Sequence, residues 1–508
     1  MMINIMEFNK QILLLFLLVP LFVGFLSIFL KKFSLNIIYN INISCYFLLI
    51  LCSIIVLFQV FFFNPIIYEI GLFGKYGVIL VVDLLSSIFI CLVSILSLFV
   101  IIYSFKNIIY YQSFNFMIFS IYGIFLTNDL FNLYVFFEVM FFSSLIFIFF
   151  SEKKKNENIK NKVESCYKYL LLGILSSFFL LLGIIFLYSS LGSLNLSDIE
   201  NKIFLLSYYG NFHLVIVVSC ILFIIAFGNK IAIFPFHFWL PDVHPIVPAP
   251  ISSILSGLLT KVGIYCFIRI LYIVLFPYKN YFISILQYLS LATIIIGSIS
   301  SIVQYDIKKI LAYSTISQIG YIMFCLSLNT YLSLFVSIIY ILLHALSKSM
   351  MFLIVGKIIS ITHTKNIYKM FNLKNVFPIY SFCFFIGSLC LSGIPPTIGF
   401  IAKYLLFYSF LTQSSNFFIL FILIISSICT LYYTINTWIK IFLEKDNKNM
   451  VIKKKNLSFL EKTSMIFIIF FLLYFGIFPN KLFFFVEKIT ENLMNPEYYI
   501  LLIIKRYL

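Results

Sequence analysis

The sequence predicts an all-α polytopic membrane protein of about 14 transmembrane helices, with helices 7 and 12 broken and related as parts of two inverted repeats. Three observations lead there. First, the 508 residues are 63% hydrophobic and only 10% charged, with a mean hydropathy of +1.10. A soluble domain carries about a quarter of its residues as Asp, Glu, Lys or Arg, and could not hide this much apolar surface. Second, apolar runs of about 20 residues, enough to cross a hydrocarbon core of roughly 30 Å, recur from end to end. Third, two of those runs each pair a lysine with proline, Lys230 with Pro235 and Lys403 with Pro395 and Pro396.

Taken in order, the expected spans lie near residues 11–30, 43–63, 79–103, 114–127, 130–150, 167–190, 213–238, 250–276, 282–303, 311–328, 331–356, 378–409, 416–439 and 463–479. The first run, "QILLLFLLVPLFVGFLSIFL", is too long for a signal peptide and is followed by no small-residue cleavage pattern, so it reads as a retained span. The final "YYILLIIKRYL" is too short to count as another. The intervening polar links, the longest being 151–166, 357–377 and 440–462, are Lys/Asn-rich and solvated, and no soluble domain interrupts the helices. The chain therefore divides into N-terminal helices 1–3 (1–110), a first repeat (111–280), a second, inverted repeat (281–440), and a loop, last helix and tail (441–508).

The formal net charge of +17 is a topology signal rather than a nucleic-acid footprint. Taking alternate loops, the large majority of loop lysines fall on one side, including the "SEKKKNENIKNK" link. The positive-inside rule places that side in the cytoplasm and both termini outside the cell (inner) membrane. The ten cysteines are scattered, with no C-x-x-C, and there is neither a G-x-G-x-x-G nor a Walker A sequence. No cofactor is expected: neither metal nor iron–sulfur binding, nucleotide binding nor electron transfer is encoded.

The broken spans follow from proline chemistry. Each Pro removes a helix hydrogen bond and clashes with the preceding turn. By the topology above, span 7 runs inward and span 12 outward, and the Lys–Pro order is reversed between them. A lysine beside a break in two antiparallel helices is what inverted repeats of transporters produce.

An ionisable group at mid-bilayer costs about 2.5–3.5 kcal/mol on insertion scales, so it must pair, reach water or sit in protein interior. The candidates are Glu138, Lys230, Lys261, His344, Lys348 and Lys403. They lie on five separate spans, with His344 and Lys348 four apart on one helix face. A lysine that alternates between a partnered and an unpartnered state changes its hold on a proton, which is what a proton relay needs. Arg269, eight residues beyond Lys261, reads as an interfacial anchor, Asp129 as a helix-start residue, and Asp83 as either a cap or a functional group. The membrane carboxylates are too few and dispersed to converge on a metal cation.

The blocks "FLTNDLFNLYVFFEVMFFSSLIF", "KYLLLGILSSFFLLLGIIFLYSSLGSLNLSDI", "FPFHFWLPDVHPIVPAPISSILSGLLTKVGIY", "QYDIKKILAYSTISQIGY" and "LSGIPPTIGFIAKYLLF" occur in one order. In that order they resemble the proton-translocating antiporter superfamily over roughly residues 78–440. That superfamily includes the D-type subunit of Mrp (Mnh) multisubunit Na+/H+ antiporters and the antiporter-like membrane subunits of respiratory complex I. "LTNDLFNLYVFFEV" and "SGLLTKVGIY" look most like the D-type subunit; "FHFWLPDVH" and "HALSKSMMFL" are also close to the complex I versions.

The resemblance implies fourteen helices in two inverted five-helix repeats and a principal ion pair matching Glu138 and Lys230. Lys261, His344 and Lys348 would carry the path onward, with Lys403 leading to the far exit. One departure is Gln318, where several complex I members carry His; Gln holds water but does not titrate. The implied function is exchange of H+ against Na+ or K+ within a hetero-oligomer of other small membrane subunits. The alternative is a proton-pumping subunit of complex I or a related membrane hydrogenase.

Overall fold

The computed structural model describes residues 2–29, 35–70, 78–103, 107–151, 159–208, 214–414, 416–444 and 458–495. Most of the "SEKKKNENIKNK" link, much of the 440–462 link and the "YYILLIIKRYL" tail lie outside them.

Among the described residues, 13 helices are long and apolar enough to cross a membrane. They are Gln11–Phe29, Leu35–Phe62, Leu84–Ile102, Ile108–Leu126, Leu130–Phe149, Ile159–Leu191, Leu214–Val243, Ala249–Val274, Phe282–Val303, Ile307–Leu328, Tyr331–Thr362, Phe417–Phe442 and Phe459–Ile477. The expected twelfth span is two shorter helices, Pro378–Ser392 and Ile398–Gln413. Counting that broken element as one gives the fourteen read from the sequence, numbered 1 to 14 below.

Two compact units emerge. The first is built from the described parts of Met1–Ile231, Lys261–Phe282 and Lys488–Leu508, the second from Ala232–Thr260 and Ile283–Glu487. In the first unit, span 6 packs along the helical part of span 7, span 1 against span 4, and span 2 against span 3. Polar side chains within these packed helices bond one another instead of facing lipid: Tyr46 donates to Asn115 Oδ1 (2.8 Å), and Asn115 Nδ2 donates to Asn42 Oδ1 (2.9 Å). This satisfies groups that hydrocarbon could not.

One segment differs from its sequence reading. Residues 79–82 were expected at the start of span 3, but Val78–Val82 (β2) forms an antiparallel pair with Ile66–Ile70 (β1), Ile66 opposite Val82 and Tyr68 opposite Leu80. A short β-branched run is compatible with buried strand or helix by periodicity alone. Span 3 then starts at Leu84, where Asp83 and Ser86 form a reciprocal capping box. Asp129 caps span 5 by accepting from the Asn132 amide (2.9 Å), as its position predicted. Between spans 6 and 7 lies an additional amphipathic helix, Leu196–Tyr208.

In the second unit span 11 is the interior helix: every residue from Ser333 to Val355 is buried. Span 13 instead turns Phe417, Phe418, Phe421 and Ile428 outward, a lipid-compatible face. Both lysine–proline runs break as proline chemistry requires. The helix ending at Ile231 is followed by Ala232 at φ 67°, and the helix ending at Ser392 by Gly393 at φ 80°. Phe234–Pro235 and Pro395–Pro396 are both cis. Beyond the second break the chain turns back so closely that a Cβ on Gly399 would lie 1.8 Å from the Cys390 carbonyl oxygen.

Gly399→Ala is therefore expected to destabilise the protein by about 1–3 kcal/mol, the usual cost of overpacking. Gly24→Ala, whose added Cβ would meet atoms no nearer than 3.4 Å, serves as the control. Thermal unfolding followed by fluorescence-detected size exclusion compares the two.

Candidate functional site

The candidate residues fall three to each unit. Glu138, Lys230 and Lys261 lie in the first; His344, Lys348 and Lys403 in the second.

Lys230 is the penultimate residue of the helical part of span 7, just before the break, and is 3% exposed. Span 6 holds this turn in place: Ser176 donates to the Ala226 carbonyl (2.7 Å), and the Asn229 amide donates to the Leu172 carbonyl. The Lys230 ammonium faces three rings, with Nζ 5.1 Å from the Phe137 centroid, 4.5 Å from Phe141 and 5.8 Å from Tyr169. Desolvated cation–π contacts of this kind are worth about 2 kcal/mol or more. Phe141 can lie there because Gly173 has no side chain; a Cβ on Gly173 would sit 1.9 Å from the Phe141 ring. Tyr169 is fixed from behind by Ser144 (2.5 Å between hydroxyls).

The ion pair expected between Glu138 and Lys230 is not closed by direct contact. Neither Lys230 Nζ nor Glu138 Oε1 has a hydrogen-bond partner among the described residues. Glu138 is half-buried on the helix that carries Phe137 and Phe141, and its charge acts on Lys230 without direct contact. Buried polar groups are almost always hydrogen-bonded, so these two atoms are exceptions to the rule.

Lys261 is fully buried on span 8. Its segment packs directly on the Lys230 turn, since a Cβ on Gly263 would meet Ile231 Cγ1 at 2.7 Å and Lys230 Cβ at 3.4 Å. Span 8 carries π-helical stretches at Leu255–Leu259 and Ile268–Val274; such turns occur often at functional sites. Arg269, in the second of them, is not the interfacial anchor its position suggested. It is 4% exposed and forms a two-pronged ion pair with Asp83, both N–O distances 2.8 Å. A guanidinium buried near a helix end needs such a partner, and the distant Asp83 supplies it.

In the second unit, His344 and Lys348 are fully buried on span 11. The Lys348 ammonium donates to the Ser314 hydroxyl and to the Leu311 carbonyl (3.3 Å). One turn beyond Ser314, Gln318 Oε1 accepts from Tyr340 (2.5 Å). Tyr340 stacks on Tyr321 with centroids 6.1 Å apart, and Lys403 Nζ lies 5.1 Å from the Tyr321 ring. Lys403 also donates to the Ser392 carbonyl and the Thr430 hydroxyl, each at 3.0 Å. Its stem crosses Gly393, where a Cβ would come within 2.6 Å of Lys403 Cδ. Lys403 thus satisfies a carbonyl freed by the break in span 12.

The sequence reading did not single out His244. It follows the break in span 7, is fully buried, stacks on Phe352 (centroids 4.6 Å apart) and has no hydrogen-bond partner on either ring nitrogen among the described residues. Lys308 and Lys365 hold its segment by donating to the Val247 (2.6 Å) and Pro245 (2.7 Å) carbonyls. Its place between two prolines in "PDVHPIVP" was the available signal. The aromatic cage had none, because Phe137, Phe141 and Tyr169 are ordinary members of apolar runs.

Apolar spans, two helices broken beside buried lysines, and further titratable groups in the interior define a multi-pass membrane protein with ionisable side chains inside its helical units. A family described as NADH:quinone oxidoreductase/Mrp antiporter, transmembrane region, matches residues 127–430, and the chain belongs to it. It is 31% identical over 439 residues to the D-type subunit of a Na(+)/H(+) antiporter of Bacillus subtilis (strain 168), covering 85% of this chain and 87% of that one. Its fold is that of a chain in the Mrp complex from Dietzia sp. DQ12-45-1b (TM-score 0.88, 22% identity, 97% of this chain and 99% of that chain). It is also similar to a chain of respiratory complex I from Thermus thermophilus (TM-score 0.81, 19% identity, 96% and 99%).

Thr430→Val, which keeps the volume and removes the hydroxyl acceptor, is expected to cost about 1–3 kcal/mol by leaving a buried ammonium short of a partner. Thr430→Ser should retain wild-type stability in the same thermal unfolding assay.

Proposed function

We propose that this protein is the proton-translocating subunit of a multisubunit cation/proton antiporter, exchanging H+ against Na+ or K+. The observation that carries the reading is Lys230: a buried ammonium held by π faces beside a broken helix, with a carboxylate, Glu138, acting on it from a distance. Such a lysine is not locked into one charged pair, so its proton affinity follows the position of water and of the Glu138 charge. The likeness to the D-type chain of a Na(+)/H(+) antiporter, along most of both chains, supports the same reading.

In this reading Lys230 is the central carrier and Glu138 its modulating partner. Lys261, His344 and Lys348 pass the proton on, and Lys403 leads to the exit. Gln318 does not titrate, and the Tyr340–Gln318 hydrogen bond makes it an orienting group. The Lys-rich loops face the cytoplasm of a cell membrane, and the other subunits of the assembly are small membrane proteins. Where the chain serves a complex I-type assembly instead, the same residues would move protons while electron carriers sit on other chains; the shared fold with a complex I chain favours keeping this second reading.

Glu138→Ala and Lys230→Ala should each reduce cation-dependent proton exchange to background in inverted vesicles monitored with a pH-sensitive dye, with assembly intact on native gels. Wild-type exchange in either variant would remove the reading. Affinity purification of the native assembly is expected to bring down small membrane subunits without flavin or iron–sulfur absorbance; those chromophores would favour the complex I-type reading.

A further inference from the structure

A second buried titratable cluster lies in the first unit, apart from the Lys230 group. Its centre is Arg269, eight residues from Lys261 and so roughly 12 Å farther along the helix at 1.5 Å per residue. Arg269 is clamped by both oxygens of Asp83, and Tyr265 closes the third side, accepting from Arg269 Nη2 at 3.0 Å and donating to the Phe125 carbonyl at 3.1 Å. Acting on the same guanidinium is a second carboxyl, Glu200, on the Leu196–Tyr208 helix. That helix packs on the π-helical stretch that carries Arg269. Glu200 is 3% exposed, and neither of its oxygens has a hydrogen-bond partner among the described residues.

One arginine therefore has two buried carboxyls within reach of its charge, and its two-pronged ion pair is made with Asp83. We propose that Glu200 is a further proton-binding site, set by competition between Glu200 and Asp83 for Arg269. In this proposal Asp83, the carboxyl that pairs with Arg269, is the anion, and Glu200, whose oxygens have no hydrogen-bond partner among the described residues, is the neutral acid. When Arg269 turns to Glu200, that carboxyl releases its proton and Asp83, left unpaired, takes one up. The trio carries the same total charge in both states, and one proton has moved from Glu200 to Asp83. A small cavity lined by Asp83, Ile273 and Asn492 opens beside the receiving carboxyl.

The surroundings separate the two acids in the required sense. Burial pushes the Asp83 carboxyl up, but the Arg269 charge and the hydrogen bonds from Arg269 and Ser86 outweigh it and hold it below the usual carboxylate range. Burial holds Glu200 well above that range, the Arg269 charge only partly offsetting it. Two carboxyls whose environments drive their proton affinities apart are the pattern of a proton donor and a separate acceptor. The other charged groups nearby are already engaged: on the Glu200 helix Lys202 pairs with Asp198 at 3.0 Å, and from the C-terminal helix Lys488 lies over Phe61 at 3.9 Å. Span 8 also contributes the buried phenols of Tyr265 and Tyr272.

The test is infrared difference spectroscopy on the full-length protein in lipid nanodiscs, reading the carbonyl stretch of a neutral carboxylic acid. It does not depend on exchange activity, so it can succeed or fail whatever Glu138 and Lys230 do. At neutral pH the wild type should show an acid band that Glu200→Gln removes, and raising the pH should abolish that band in the wild type itself. Asp83→Asn should abolish it with Glu200 still present, because Arg269 is then free to pair with Glu200. Arg269→Gln should instead add a second acid band, from Asp83. No band lost in Glu200→Gln would overturn the site. A wild-type band with no dependence on pH would do the same, and a band that persists in Asp83→Asn would overturn the competition.

Discussion

A charged side chain inside a hydrocarbon layer has to be met by something other than lipid, and the arrangement of this protein turns on how each of its interior charges is met. Lys230 is met by three aromatic faces, Lys403 by a carbonyl and a hydroxyl, Lys348 by a hydroxyl and a carbonyl, and Arg269 by a carboxylate. These differ in how firmly they commit the charge. A two-pronged ion pair fixes both charges, whereas π faces stabilise an ammonium without naming its proton's destination. The residue with the least directional partners is Lys230, at the end of the helix that breaks after Ile231.

The breaks and the lysines are physically coupled. Ending a helix inside the membrane frees carbonyls that lipid cannot satisfy, and irregular backbone is tolerated at that depth only when protein or water covers it. Lys403 reaches across Gly393 to the Ser392 carbonyl and so closes the end that Pro395 and Pro396 open. After the other break, the His244 segment is held by Lys308 and Lys365 through its carbonyls. Small residues make these approaches possible: Gly173 for the Phe141 ring, Gly263 for the Lys230 turn, Gly399 for the returning chain. Packing this close transmits a change at one group to its neighbours.

Much of the architecture was legible in the chain. The fourteen spans, the presence of a break in spans 7 and 12 and the cap at Asp129 follow from apolar run length and proline chemistry, and the cost of charge in oil singled out Lys230, Lys261, His344, Lys348 and Lys403, all of them buried. The hairpin was not legible, because "VILVV" satisfies strand and helix alike. Arg269 was misread because sequence distance from mid-span says where a side chain starts but not what waits for it; Asp83, 186 residues away, decides that.

Sequence alone determined the membrane-spanning helical class, the presence of a break in spans 7 and 12, and five of the titratable residues that lie in the interior (Lys230, Lys261, His344, Lys348 and Lys403), since each of these is a local property of hydropathy, proline and charge. Only the tertiary structure decided which partner each of those residues has. It gave Lys230 rings instead of a carboxylate, gave Arg269 the carboxylate of Asp83, and left both nitrogens of His244 without a hydrogen-bond partner among the described residues. The reason is that partnership depends on faces brought together from distant helices, and spacing along one helix carries no record of what packs against it.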